Sequence, residues 1–299
     1  MAGIKEYAGV ARAPFLLLPP TLVAAGAAAA AWDGAFSWAR TVLAVIGLVA
    51  LHMAVNILNE WSDMRTGIDL ETERTPFSGG SGTLPAGDMS LKNALVFGLV
   101  CSAVGLVIGL WFLWKVGWIL LPIVVAGAAA VLTYTDVLAR IGVGEIAAGF
   151  GLGAGPVIGA ALVQGGGWSA AAVAASIPAF FMTFNLLFLN EFPDEDADRG
   201  GGRRNLVILF GRKPAAWIYV FAGLATPAAL FVAVFLGVLP AFCLVATLPS
   251  LLLVKPVRWA LSDPSKPVPI PALGANVVWN LATNTMVALT LIAAMLLGS

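Results

Sequence analysis

Residues 38–63 read WARTVLAVIGLVALHMAVNILNEWSD, and residues 169–194 read SAAAVAASIPAFFMTFNLLFLNEFPD. Each stretch is a long apolar run that ends in nearly the same polar signature. The first closes on Asn59-Glu60-Trp61-Ser62-Asp63 and the second, 131 positions later, on Asn190-Glu191-Phe192-Pro193-Asp194. About 20 consecutive apolar residues cross a bilayer as a helix, and a spanning segment must satisfy its own backbone polar groups. Both stretches therefore predict membrane helices that open acidic loops. The runs are continuous rather than alternating, which argues against a barrel.

Working outward, nine such runs lie at about 14–32, 38–59, 93–113, 117–136, 144–164, 169–190, 214–236, 238–258 and 275–298. The predicted fold is all-α, a polytopic membrane bundle of about nine helices with two cytoplasmic Asp-rich loops. It forms a single domain over 1–299, in which 14–136 and 144–258 read as parallel pseudo-repeat halves. Composition agrees: 60% of residues are hydrophobic and 11% charged, where a soluble domain carries about 25% charge. The formal net charge of zero gives no electrostatic case for nucleic acid. Cys101 and Cys243 lie in separate apolar runs with no Cys-x-x-Cys spacing, so neither a disulfide nor a zinc site is indicated. Further apolar runs follow the first, which reads as a retained span rather than a cleaved signal.

The basic residues fix an orientation. With the N-terminus in the cytoplasm, fourteen of the 16 Lys and Arg residues fall on the cytoplasmic side, leaving Arg40 and Lys115 outside. That is a strong positive-inside bias. It predicts an integral protein of the cell's inner membrane, with both acidic loops cytoplasmic and the C-terminus on the opposite side.

Ten of the 16 acidic residues occupy two windows, Glu60, Asp63, Asp69, Glu71 and Glu73, then Glu191, Asp194, Glu195, Asp196 and Asp198. On a helix, Asn59 and Asp63, Asn190 and Asp194, and Asp194 and Asp198 each share a face. Paired oxygen clusters without histidine or cysteine suit Mg²⁺, which often shares its shell with phosphate oxygens, and suit zinc poorly. Arg65 and Arg74 stand beside the first cluster, and Arg199, Arg203 and Arg204 beside the second. Their planar forks match phosphate geometry, so the pattern points to a Mg²⁺–diphosphate site. A merely solvated interfacial loop would not explain the matched spacing. His52, Asn56, Asn59 and Asp63 form a stripe that either lines a pocket or bonds a neighbouring helix. The stripe Asn276, Asn280 and Asn284 has the same two readings. Tyr134 and Asp136 end the fourth run on the acidic side.

The paired motifs, NEWSDMRTGID (Asn59 to Asp69) and NEFPDEDADRGGGRRNLVILFGR (Asn190 to Arg212), resemble those of the UbiA-type intramembrane prenyltransferases, and the similarity covers essentially the whole chain. The resemblance implies nine helices and Mg²⁺-dependent transfer of a prenyl group from a polyprenyl diphosphate to a small aromatic acceptor. It implies that Asp63, Asp69, Asp194 and Asp198 are catalytic and hold Mg²⁺ with Asn59 and Asn190. It places the diphosphate on Asn59, Arg65, Arg74, Asn190, Arg203 and Arg204, and the acceptor near His52, Asn56 and Tyr134. The Gly67-x-Asp69 spacing and the tail GGGRRNLVILFGR are similar to the branch that prenylates 1,4-dihydroxy-2-naphthoate for menaquinone. The chain departs from the family pattern at Glu60, at Thr75–Gly82 and in the stretch Tyr134–Glu145. Other acceptors in the family are 4-hydroxybenzoate, homogentisate, a chlorin or a glyceryl phosphate. The rival class is a cation-coupled transporter, which would hold ionisable groups near the bilayer midplane; only His52 lies that deep. The Asp-Gly-x-x-Ala-Arg signature of CDP-alcohol phosphotransferases does not occur.

Overall fold

The computed structural model describes residues 3–298. Among the described residues there are no strands, and eight helices are long and apolar enough to span a membrane, with a ninth, shorter apolar helix. They are α1 (Ala13–Trp32), α2 (Trp38–Thr66), α3 (Leu91–Val116), the shorter α4 (Trp118–Thr133), α5 (Gly144–Leu162), α6 (Ala170–Gly200), α7 (Arg212–Phe235), α8 (Ala241–Ser262) and α9 (Ile270–Leu297). This is an integral membrane bundle of the expected order.

Local chemistry sets the boundaries. Ser37, Ser90 and Ser169 accept hydrogen bonds from the backbone N–H groups of Arg40, Asn93 and Ala172, capping α2, α3 and α6. Gly67, at φ +84°, ends α2 in the left-handed conformation that glycine adopts without steric cost.

The two motif-bearing helices do not stop where the loops were expected. α2 has 29 residues and α6 has 31, so at 1.5 Å per residue they are about 44 and 46 Å long. The hydrocarbon core is only about 30 Å thick. The motifs are therefore helical overhangs rather than loops, which makes the i,i+4 face-sharing of their carboxylates real. Pro193 is accommodated within α6, and the last turns carry an Arg199–Glu195 pair at 2.8 Å.

Packing is tight on one side of the bundle and loose on the other. Alanine-rich α1 seats against α5, and a Cβ at Gly26 would collide with the Val157 carbonyl. Small residues permit such approach where no hydrophobic force drives helices together. The main core runs from Leu22 and Ala29 through Val157, Met182 and Leu230 to Trp279 and Leu291. By contrast, α4 buries only Leu120, in its first turn. The Asn276 stripe is mostly inter-helical glue: Tyr219 Oη donates to Asn276 Oδ1 at 3.0 Å, and Asn276 Nδ2 donates to the Asn185 carbonyl at 2.9 Å. α5 contains a π-turn at Phe150–Ala154, with Leu152 at φ −120° and ψ 24°. Thr183 Oγ1 donates to the Leu152 carbonyl at 2.9 Å. Such bulges cluster at functional sites, and Gly151 and Leu152 do line the cavity described next.

Candidate active site

The overhanging ends of α2 and α6 face each other across a cavity of about 210 Å³. His52, Asn56, Asn59 and Asp63 of α2 line one wall, and Asn190, Glu191, Asp194 and Asp198 of α6 line another. Asp69, Tyr134 and Arg203 complete the polar end, and Leu48, Leu51, Val131 and Leu186 form an apolar floor. The stripe His52-Asn56-Asn59-Asp63 thus faces the cavity, although Asn56 also donates to the Ala11 carbonyl at 3.0 Å.

Arg203 sits between the two motifs. Its Nη2 bonds Asp63 Oδ1, and its Nη1 lies 3.2 Å from Asp198 Oδ1. With its amide oxygen toward Arg203 Nη2 at 2.7 Å, Asn59 also directs its nitrogen to Asp63 Oδ2 at 3.3 Å. Asn205 holds the other Asp198 oxygen at 3.0 Å. Burial acts against the Arg203 charge, but the Asp63 and Asp198 carboxylates outweigh it and raise its pKa above the ordinary arginine value. One cation therefore bridges the carboxylates of both motifs.

The oxygen donors fit a divalent cation. Asp69 Oδ2 and Asp194 Oδ1 are buried without a hydrogen-bond partner, and unpartnered buried carboxylate oxygens are costly unless something else completes them. The Asp69 carboxyl is pushed up to about 7, chiefly by burial, then by the nearby Asp63 and Glu60 carboxylates. Among the described residues no three His, Cys, Asp or Glu side chains already converge as a ready-made metal cage, and Arg203 pairs with Asp63 and Asp198.

A second cation, Arg12, lines the same cavity and is not among the arginines that the motifs single out. Its Nη2 donates to the Phe77 carbonyl at 2.9 Å. Burial lowers its pKa, while Glu60, Asp194, Asp69 and Asp63 act in the opposite direction. Phe77 belongs to a strap, Thr75–Gly82, that folds over the site. Ser78 N donates to Thr75 Oγ1 at 2.9 Å, forming its turn. Glu60 anchors the strap from α2 by accepting from Ser81 N at 2.7 Å and Ser81 Oγ at 2.6 Å. Gly80, at φ +71°, crosses Asp69 so closely that a Cβ would stand 3.0 Å from Oδ1.

The remaining expected diphosphate residues lie outside the cavity. Arg65 is exposed and stacks over Trp61, 4.4 Å from the ring centre. Arg74 is exposed and donates to the Asp69 carbonyl at 3.0 Å. Arg204 is exposed, with its backbone N–H on the Ala139 carbonyl at 2.9 Å. Glu195 is turned outward to Arg199 and Arg212. Tyr134 faces inward, its phenol pushed well above its usual value by burial and by the Glu191 carboxylate, so it is a neutral hydroxyl. His52 Nδ1 is buried without a partner.

Comparison with known proteins adds the following. The sequence profile of the UbiA prenyltransferase family matches residues 17–273. A digeranylgeranylglyceryl phosphate synthase from Natronomonas pharaonis is 29% identical over 258 residues, covering 84% of this chain and 87% of that protein. A 1,4-dihydroxy-2-naphthoate octaprenyltransferase from Bacillus subtilis is 26% identical over 168 residues, 55% of this chain and 53% of that one. Among solved structures, the apo form of a UbiA homolog from Aeropyrum pernix K1 superposes with a TM-score of 0.69 at 20% identity, covering 94% of this chain and 97% of that one. A UbiA homolog from Archaeoglobus fulgidus bound to GPP and Mg²⁺ superposes with a TM-score of 0.63 at 13% identity, covering 95% and 99%.

Proposed function

This chain belongs to the UbiA prenyltransferase family, and from that premise we propose that it transfers a polyprenyl group from its diphosphate to a small aromatic diol, with 1,4-dihydroxy-2-naphthoate as the acceptor that fits best. The observation that carries the reading is the convergence of two carboxylate motifs and two partly buried arginines on one cavity with an apolar floor.

The donor's diphosphate belongs at the polar end. Asp63, Asp194 and Asp198, assisted by Asn59, Asn190 and Asp69, are the residues that would hold Mg²⁺. When bound, the metal would neutralise charge on the leaving diphosphate as a Lewis acid. Arg12 and Arg203 offer planar forks to the remaining phosphate oxygens. Their positive charge is placed where negative charge grows as the allylic C–O bond breaks and its electron pair departs with the diphosphate. To serve the phosphate, Arg203 releases Asp63 and Asp198. The apolar floor beneath keeps water from the allylic carbocation. An electron-rich ring carbon of the acceptor then forms the new C–C bond, and that carbon loses its proton, or its carboxyl group as CO₂.

Apart from Glu191 beside Tyr134, the cavity lining away from the aspartates and arginines includes the neutral or histidine groups His52, Asn56, Tyr134, Thr183 and Asn280. They suit hydroxyls on a ring better than a second phosphate, which would need another cation. A glyceryl phosphate acceptor is the second reading, favoured by the longer alignment to the synthase from Natronomonas pharaonis. The concentration of basic residues at the motif end of the bundle supports a cytoplasmic position for that end.

A competition experiment tests the acceptor. The purified protein receives labelled geranylgeranyl diphosphate, Mg²⁺ and equimolar dihydroxynaphthoate and geranylgeranylglyceryl phosphate. Prenylated naphthoate as the dominant product supports the reading, and prenylated glyceryl phosphate alone overturns it.

A further inference from the structure

Arg203 reaches the cavity from a turn whose sequence favours movement. It follows Gly200, Gly201 and Gly202, the last at φ +82°, and glycine gives a chain its widest freedom. Backbone bonds hold the turn in place. Arg203 N donates to the Asp198 carbonyl and Arg204 N to the Ala139 carbonyl, both at 2.9 Å. Leu206 N, at the start of the short helix Leu206–Phe210, donates to Glu145 Oε1 at 2.6 Å. Ala139 precedes α5 and Glu145 lies in its first turn, so the entry to α5 is the platform against which the turn is set. Glu145 is an unusual choice for holding one N–H. It is fully buried, and removing a carboxylate from water costs far more than removing a neutral amide. Its Oε2 has no hydrogen-bond partner. The carboxyl also touches that of Glu191, which lines the cavity and likewise has an unpartnered Oε2. Glu145 therefore joins the backbone of the Arg203 turn to the α6 wall of the cavity, although it is not itself part of the cavity lining.

Resting on the prenyl diphosphate reading above, we propose that Glu145 is a positioning residue for Arg203: it fixes the turn from which the guanidinium moves off Asp63 and Asp198 and onto the phosphate oxygens of the donor. That movement uses the bonds of the arginine side chain, so the backbone beneath it has to stay where both sets of oxygens are within reach. Released from Glu145, Leu206 no longer anchors the far side of the turn, and the glycines let Arg203 drift. A misplacement of about 1 Å is enough to lower a rate about a hundredfold. Glu145 acts here through the Leu206 N–H and touches neither phosphate nor metal.

The contact can be broken from either side. Glu145→Ala removes the acceptor, and Glu145→Gln keeps an oxygen for Leu206 N while offering its amide hydrogens to Glu191. Leu206→Pro removes the donor instead; proline suits a first helical position, and Asn205 before it already has the extended ψ of 167° that a proline requires. Arg203→Met takes away the group to be placed. Each variant is followed in detergent by kcat and KM for geranylgeranyl diphosphate with dihydroxynaphthoate, and by the rise in melting midpoint that inorganic diphosphate produces with Mg²⁺. Glu145→Ala and Leu206→Pro should lower kcat/KM roughly ten- to a hundredfold and shrink the diphosphate-induced rise, and Glu145→Gln should restore most of both. Combined with Arg203→Met, Glu145→Ala should change kcat/KM by less than roughly twofold further, because no guanidinium is left to place; a merely structural role would lower it by the same factor in both backgrounds. A wild type that gains nothing from diphosphate would overturn the donor reading and this inference with it. A wild type that gains while Glu145→Ala gains equally, an additive loss beside Arg203→Met, or a folded Glu145→Gln as impaired as Glu145→Ala would overturn the inference alone.

Discussion

Arg203→Met removes the cation that bridges the motifs while keeping the side chain's length. The Asp63 and Asp198 side chains it pairs with are 7% and 3% exposed, and Arg203 itself is 16% exposed. Breaking a buried pair by deleting one partner costs about 3–5 kcal/mol, because the other charge is left uncompensated. Asn59 and Asn205 still donate to these carboxylates, which places the cost near the lower figure, about 3 kcal/mol. At roughly 2–3 °C per kcal/mol, that lowers the melting midpoint by roughly 6–9 °C. If the same oxygens are the metal site, Mg²⁺ should replace the lost charge. The variant's midpoint in detergent should fall in EDTA and recover with Mg²⁺, whereas wild type should respond to Mg²⁺ less, since the metal must first displace Arg203. Scanning fluorimetry on both proteins, with and without metal, decides. A loss that Mg²⁺ does not restore, or no loss in EDTA, would refute the idea that one cation substitutes for the other.

Two further outcomes follow from the same geometry. Arg12→Ala removes a charge-assisted contact worth about 1.5–3 kcal/mol, so kcat/KM for the prenyl diphosphate should drop roughly ten- to a hundredfold, and an unchanged value in initial-rate assays would remove Arg12 from the site. Asp69 titrates near 7 in the metal-free protein; its deprotonated form is the ligand, so protons compete with metal below that value and do not above it. Apparent Mg²⁺ affinity, measured by calorimetry, should then be nearly flat from pH 8 to about 7 and fall about tenfold per unit below. An affinity independent of pH between 6 and 8 would count against Asp69 as a ligand.

The order of the nine apolar helices was legible because apolar runs are bounded by basic residues; among the described residues eight of them are long enough to span a membrane and the fourth is shorter. What the pattern did not disclose was direction. Arg203 and Arg204 are adjacent in sequence, yet after α6 ends one turns into the cavity and the other to solvent. Arg65 lies two residues beyond Asp63, which on a helix is far around the cylinder from it, and it stacks on Trp61 instead. Arg12 was invisible for another reason: a lone arginine ahead of a first span reads as a topology signal. Its role shows only once the Thr75–Gly82 strap folds back and brings the Phe77 carbonyl to it. The asparagines of α9 could not be sorted from pocket residues by spacing alone. Asn276 bonds Asn185 and Tyr219 from helices distant in sequence, Asn284 bonds Asn280 within α9, and Asn280 lines the cavity.

The central claim is that the two acidic overhangs work together on one diphosphate through a divalent cation. Prenyl transfer from geranylgeranyl diphosphate to dihydroxynaphthoate, followed with Mg²⁺ or EDTA in wild type, Asp63→Ala and Asp194→Ala, tests it most directly. The account predicts product that requires Mg²⁺ and falls by roughly 10²–10³-fold or more in either variant. Undiminished product in EDTA, or in either variant at wild-type rates, would contradict it.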